Sequence, residues 1–107
     1  MADLGTVEWE GASGKKYKYW IYKIDTTFEA VAGNYVFARN IDQKYWQPVY
    51  IGQTSDLSER FDDHHKMPCI KQEEATHIHV HKSSDNEAER LAEESDLVKK
   101  WNPICND

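Results

Sequence analysis

Two β-favouring runs on either side of a short polar turn restrict this chain more than anything else in it. They are residues 34–40, NYVFARN, and 48–53, PVYIGQ, separated by Asp42-Gln43-Lys44. Valine, isoleucine and the aromatics suit a pleated, half-buried surface, so the pair is expected to form an antiparallel hairpin. Pro48 has no N–H to give a ladder and belongs at a strand end or on an edge. Side chains alternate along a strand, which puts Val36, Ala38, Val49 and Ile51 on one face, the expected core face, and Tyr35 and Tyr50 on the other. With the turn centred on Asp42-Gln43, the two tyrosines should stand opposite each other. Gly33 and Gly52 flank them, and a residue without Cβ lets another group come close.

The remaining segments are assigned from their periodicity. Gly5, Gly11 and Gly14, with little pattern between them, make residues 1–14 a flexible N-terminal segment and leave 15–107 as one domain. Residues 16–24, KYKYWIYKI, read as an additional N-terminal strand. Its lysines suit either an edge guarded against aggregation or a surface offering cations to phosphates and rings to unpaired bases. A helix is expected from Ser55, an N-cap residue followed by Asp56 and Glu59. It would put Leu57 and Phe61 toward the core and Arg60 and His64 on a neighbouring stripe. Pro68 ends that helix or opens a short one reaching about Glu74. Residues 77–82, HIHVHK, alternate strictly: Ile78 and Val80 point inward, while His77, His79 and His81 form a solvated or substrate-facing row rather than a zinc site.

A last helix is expected from about Asp85 to Trp101, opened by a Ser84/Glu87 capping box and stopped at Asn102-Pro103. Its apolar stripe would use Ala88, Leu91, Ala92, Leu97, Val98 and Trp101. Glu94 falls on or beside that stripe, where a carboxylate needs a partner, a metal or a raised pKa. The class is therefore α+β: a small antiparallel β-sheet flanked by helices, in the order β–β–β–α–(short α)–β–α.

Charge narrows the function. The formal net charge is −6; six Lys/Arg and six Asp/Glu precede Thr54, so the deficit in the totals of 13 and 19 lies wholly beyond it. Phosphate contacts dominate non-specific binding to nucleic acid, and no global basic face is available to make them. Affinity for such a partner would be local, or supplied by a protein partner. No apolar run approaches the roughly 20 residues of a membrane span, and Met1–Gly5 lack the basic and apolar regions of a signal peptide. Two widely spaced cysteines, Cys69 and Cys105, suggest a reducing compartment, and a cytoplasmic protein is expected.

Hydrolysis of a phosphodiester needs a water that loses a proton, neutralisation of the phosphate, and help for the leaving oxygen. Glu94 offers a hard oxygen ligand for Mg²⁺. Arg60 offers a planar cation matched to phosphate oxygens, and Tyr35 or Tyr50 a phenol to position or deprotonate water. The pattern Gly33-Asn34-Tyr35, Tyr50-Ile51-Gly52, Arg60, Glu94, Pro103-x-x-Asn106 resembles the GIY-YIG nuclease domain from about Gly33 to Asn106, with the Glu94-to-Asn106 block its most specific part. The resemblance implies a metal-dependent endonuclease acting on nucleic acid, with DNA the expected polymer. It implies Tyr35 as general base, Tyr50 holding water or phosphate, and Arg60 stabilising the pentavalent phosphate. It further implies Glu94 holding a single Mg²⁺ (or Mn²⁺) and Asn106 bracing the site. His64 falls where several members carry histidine. Two positions depart from the pattern: Asn34 replaces an aliphatic residue, and Gln53 stands where many members have a lysine. Nucleic-acid contacts are expected from Lys15, Lys16, Lys18, Lys23 and Gln53. The alternative is a catalytically weakened module of the same fold that docks to a protein or nucleic-acid partner.

Overall fold

The computed structural model describes residues 3–59, 61, 64–82 and 86–106. Its five strands are β1 (Thr6–Glu10), β2 (Lys16–Lys23), β3 (Gly33–Ile41), β4 (Tyr45–Thr54) and β5 (His77–Lys82). They form one sheet in the order β1-β2-β5-β3-β4, with every neighbouring pair antiparallel. Two helices, α1 (Met67–Gln72) and α2 (Glu87–Trp101), and a 3₁₀ turn over Ile104–Asn106 complete this α+β architecture.

The N-terminal segment differs from the expected flexible tail. Val7 and Trp9 alternate with polar residues, the period of a half-buried strand, and Thr6–Glu10 pairs with β2. Trp9 is 3% exposed. β2 therefore lies inside the sheet and is not an edge strand.

The hairpin forms, but its register does not place the two tyrosines opposite each other. Asp42 and Gln43 take left-handed φ values of 53° and 59°, and Ile41 pairs with Tyr45, so Lys44 is one residue extra on the β4 side. A bulge follows, where Phe37 faces Tyr50 but Ala38 faces Pro48, leaving Val49 as a second extra residue. The shift totals two residues, so Tyr35 meets Gly52 while both tyrosines stay on one face. The bulge also turns Val49 to the tyrosine side.

Both faces of the sheet are buried, where the alternation suggested a single core face. One carries Tyr35, Phe37, Leu57, Ile70, Ile78 and Val80. The other carries Trp9, Tyr19, Val36, Ala38 and Ile51 beneath Leu97 of α2. The histidine row of β5 belongs to this second face, and its middle member is not solvated: His79 is 0% exposed, its Nδ1 accepting from Trp9 Nε1 at 3.0 Å, while His77 and His81 are half-buried. Burial drives its pKa down to about 3.

α2 starts at Asn86, whose side chain accepts from Glu89 N. The expected Ser84 cap and Asp85 start lie outside the described residues. The buried positions of α2 are Arg90, Glu93 and Leu97, whereas Leu91 and Trp101 from the expected stripe are 44% and 38% exposed. Polar partners make this possible. Tyr19 Oη donates to Glu93 at 2.6 Å, His81 Nδ1 lies 2.9 Å from the same oxygen, and Arg90 Nε donates to Gln53 Oε1 at 3.0 Å. Asn102 ends the helix in the left-handed conformation, its N–H bonded to Val98 O, ahead of Pro103.

The helix expected from Ser55 is absent among the described residues. Asp56 instead accepts from both the N–H and the hydroxyl of Ser58, a local alternative to helical bonding. Leu57 is nevertheless fully buried. The short helix α1 does form, with Pro68 in its first turn. Cys69 of α1 and Cys105 of the 3₁₀ turn form a disulfide, with Cα atoms 5.8 Å apart. The cysteines are thus a pair, not isolated thiols, and the reason for expecting a reducing compartment falls away.

Candidate active site

β4 is the sheet edge beyond β3, and its outward backbone groups organise the site. Asn106 closes one position: its Oδ1 accepts from Ile51 N and its Nδ2 donates to Ile51 O, both at 2.8 Å. A single side-chain amide thus acts as a partner strand. Two residues on, the Gln53 backbone hydrogen-bonds the Glu94 carboxylate. Alternate N–H groups of one edge therefore set Asn106 and Glu94 beside Tyr50-Ile51-Gly52. The two also share a cavity of about 460 Å³ with Ser95, Val98 and Lys99. Burial raises the Glu94 pKa above the usual carboxylate range, partly opposed by the Gln53 bond.

On the adjoining face, Tyr35 and Tyr50 have ring centroids 6.2 Å apart. Gly52 lies beneath them: a Cβ there would come within 2.7 Å of Tyr35 Cζ and Oη and 2.9 Å of Tyr50 Cε2. Gly33 is similarly constrained, since a Cβ would meet His81 O at 2.8 Å. The second glycine of the pattern is therefore there for packing of the tyrosines, the first for packing of strand on strand.

Tyr35 Oη lies 2.8 Å from His64 Nε2. His64 Nδ1 accepts from Lys66 N at 3.0 Å, so the neutral ring carries its proton on Nε2 and donates to the phenol oxygen. Burial, reinforced by His65 and Lys66, lowers the His64 pKa and keeps this ring neutral. Both phenols are harder to ionise than free tyrosine. Burial raises Tyr35 far above its ordinary value, followed by the charges of Tyr50, Glu94 and Glu59, and burial followed by Glu94 raises Tyr50. The Glu94 charge thus acts on both phenols in the direction that keeps them protonated.

Of the residues singled out in the sequence, Tyr35, Tyr50 and His64 group together through their rings, and Glu94 and Asn106 are held side by side on the outward edge of β4. Arg60 lies outside the described residues. Gln53 takes part through its backbone on Glu94 and its side chain on Arg90. Asn34, the departure in the first motif, donates Nδ2 to Arg90 O at 2.9 Å and ties β3 to α2. Lys15, Lys16, Lys18 and Lys23 are exposed at the other end of the sheet, with Lys16 and Lys18 facing Glu10 and Glu8 across the β1–β2 ladder. Tyr19, in the same run, is buried and unavailable for stacking. Phe61 was assigned only to the core, yet its ring packs 4.9 Å from Tyr35.

Among the described residues, no group of three or more His, Cys, Asp or Glu side chains is placed to share a metal ion. The lone Glu94 carboxylate in a small polar cavity fits a hard cation that keeps most of its waters, as Mg²⁺ or Mn²⁺ does, and not a zinc centre. No helix is long and apolar enough to cross a membrane among the described residues. Compared with family models, with curated proteins and with solved structures, the chain matches none.

Proposed function

We propose that this protein is a divalent-metal-dependent endonuclease of GIY-YIG type that hydrolyses phosphodiester bonds in nucleic acid, DNA in the first instance. The observation that carries the reading is the grouping of two phenols with a neutral imidazole beside the edge Tyr50-Ile51-Gly52, on whose outward backbone Glu94 and Asn106 are held. Glu94 would hold Mg²⁺ or Mn²⁺. When bound, the ion would supply positive charge to the phosphate oxygens and offset the carboxylate field that disfavours both phenolates.

The chain's own groups do the rest. His64 donates to Tyr35 Oη, which favours the phenolate, against the burial that disfavours it. In its phenolate form Tyr35 Oη, the candidate base, orients the attacking water and accepts its proton, returning to the neutral phenol. Tyr50, half-buried beside it, holds water or phosphate through its hydroxyl. Asn106 fixes the backbone at Ile51, between Tyr50 and Gly52. Arg60 is assigned to the phosphate from the sequence pattern.

A cleavage screen over duplex, branched and single-stranded DNA and RNA with Mn²⁺ tests the proposal. Activity lost in both Glu94→Ala and Tyr35→Phe supports it; a folded protein that cuts none of these substrates refutes it. The second reading, a module that binds without cutting, is favoured by Tyr35 being only 3% exposed. Binding of the same substrates without cleavage would establish that reading instead.

A further inference from the structure

A cleft of about 570 Å³ opens next to the Tyr35–His64 pair, within the range of small-ligand sites. Ile24, Phe28, Leu57, Phe61 and Met67 give it apolar walls. Thr26 and Thr27 add hydroxyls, Asp25 and Glu59 carboxylates, and Lys71 of α1 a cation. Phe61 is the wall shared with the candidate active site: its ring centroid is 4.9 Å from Tyr35 on one side and 6.2 Å from Phe28 on the other. An occupant of the cleft is thus one aromatic ring away from the phenol.

We propose that this cleft receives a single unpaired nucleobase from the strand whose phosphate lies at Tyr35 and Tyr50, an inference that rests on reading that site as one for nucleic acid. Three observations converge on a base. The cleft combines apolar and aromatic walls with a few polar groups, the environment in which extruded bases are held between side chains and read along their edges. Its carboxylates accept from amino and ring N–H groups, and Lys71 suits the attached phosphate. Position is the second: the cleft and the phenols share Phe61, so a base and its neighbouring phosphate can occupy both at once.

Charge is the third. With a net charge of −6, and with Lys16 and Lys18 set opposite Glu10 and Glu8, phosphate attraction is a poor source of affinity. A stacked base contributes about 1–3 kcal/mol without calling on the protein's net charge. Extrusion from intact duplex costs a few kcal/mol, least where the base is already unpaired. The substrate class is therefore nucleic acid with a bulged, looped or single-stranded base.

The full-length protein in EDTA, where no metal-dependent cleavage occurs, is titrated into a duplex carrying one bulged 2-aminopurine and into its fully paired counterpart. Binding to the bulged duplex should be at least about tenfold tighter, within the roughly 5–150-fold that 1–3 kcal/mol allows, with the probe's emission changing on binding. Phe28→Ala should erase most of that preference. Because Phe28 is buried, Thr27→Trp, which fills the cleft from an exposed rim position, should erase it too in a protein whose thermal unfolding is unchanged. A preference that survives Thr27→Trp, or no preference in the wild type, overturns the proposal. Free 2-aminopurine nucleotide bound as tightly as the bulged duplex also overturns it, since the cleft would then take a free nucleotide rather than a strand. Cleavage in Mn²⁺ is read separately. Cutting without bulge preference sinks the cleft and leaves the nuclease standing, and bulge capture without cutting does the reverse.

Discussion

Gly52→Ala isolates the contact on which the candidate site is built. The backbone there is not left-handed, so alanine meets no strain in φ. Its lower unfolded-state entropy would, in open space, stabilise the protein by roughly 0.4–1 kcal/mol. The new methyl instead lands 2.7 Å from Tyr35 Cζ and Oη. Tyr35 cannot swing away, because Phe37, Phe61 and His64 pack around its ring and it is 3% exposed. Overpacking of this kind costs about 1–3 kcal/mol, and about 1 kcal/mol moves the melting temperature of a domain near this size by roughly 4–8 °C. A fall of roughly 5–15 °C is expected, read by circular dichroism, with a change in the near-ultraviolet tyrosine signal. The double variant Gly52→Ala/Tyr35→Leu removes the colliding atoms. A coupling of at least 1 kcal/mol between the two changes is expected, against roughly 0.3–0.5 kcal/mol for independent sites. A melting temperature that holds or rises in Gly52→Ala, or strict additivity in the double variant, would show that Tyr35 does not lie over Gly52.

Other consequences are open to direct measurement. Tyr35→Phe and Glu94→Ala should each lower cleavage by about 10²–10⁴-fold while melting curves stay close to wild type, with Tyr22→Phe as the neutral control; full activity in either would remove that residue from the mechanism. Because the Tyr35 pKa is raised, its phenolate fraction keeps growing through pH 9, so the logarithm of the rate should climb with pH without a plateau there; a plateau near neutrality would assign the base elsewhere. His79 is lowered from 6.5 to about 3, so the unfolded chain binds a proton before the folded one does, and stability should fall as pH drops below about 6.5, by up to roughly 1.4 kcal/mol per unit. His79→Leu should flatten that slope, and an unchanged slope would mean that His79 is not buried neutral. Reducing the Cys69–Cys105 bond, which spans 36 residues, should cost about 3–4 kcal/mol on a chain-entropy estimate and loosen Asn106; identical unfolding curves with and without reductant would contradict the pairing.

What the sequence revealed was whatever repeats locally. The runs at 16–24, 34–40, 48–53 and 77–82 became strands, and the helix before Pro103 became α2, because period and breaker residues act over a few positions. β1 went unseen although Val7 and Trp9 alternate, since three nearby glycines masked a five-residue signal. Arg90 and Glu93 fall outside the expected apolar stripe, because hydropathy cannot show that Gln53, Tyr19 and His81 lie beneath the helix to satisfy them. The disulfide is a fact of tertiary proximity that spacing cannot carry. Of the candidate site, the sequence pattern names candidate residues but not the framework that holds them. That Asn106 and Glu94 are both hung from the free edge of β4 requires knowing which strand is the edge.

The insertion of β5 between β2 and β3 bears on how the chain acquires its shape. The β1–β2 and β3–β4 hairpins draw only on neighbouring sequence and can form early, on the microsecond scale of isolated hairpins. They cannot join each other, because consecutive strands β2 and β3 are never partners. Trp20 meets Val80, and Tyr35 meets the same Val80 from the opposite side. Until residues 77–82 arrive, two open ladders face a gap, and unpaired ladders of that kind recruit other chains. During synthesis at about 5–20 residues per second the gap persists for seconds, far longer than either hairpin takes to form. Lys16, Lys18 and Lys23, interleaved with the aromatics of β2, put charge on the waiting strand during that interval. A chain ended before His77 would therefore present two half-sheets with no strand to join them.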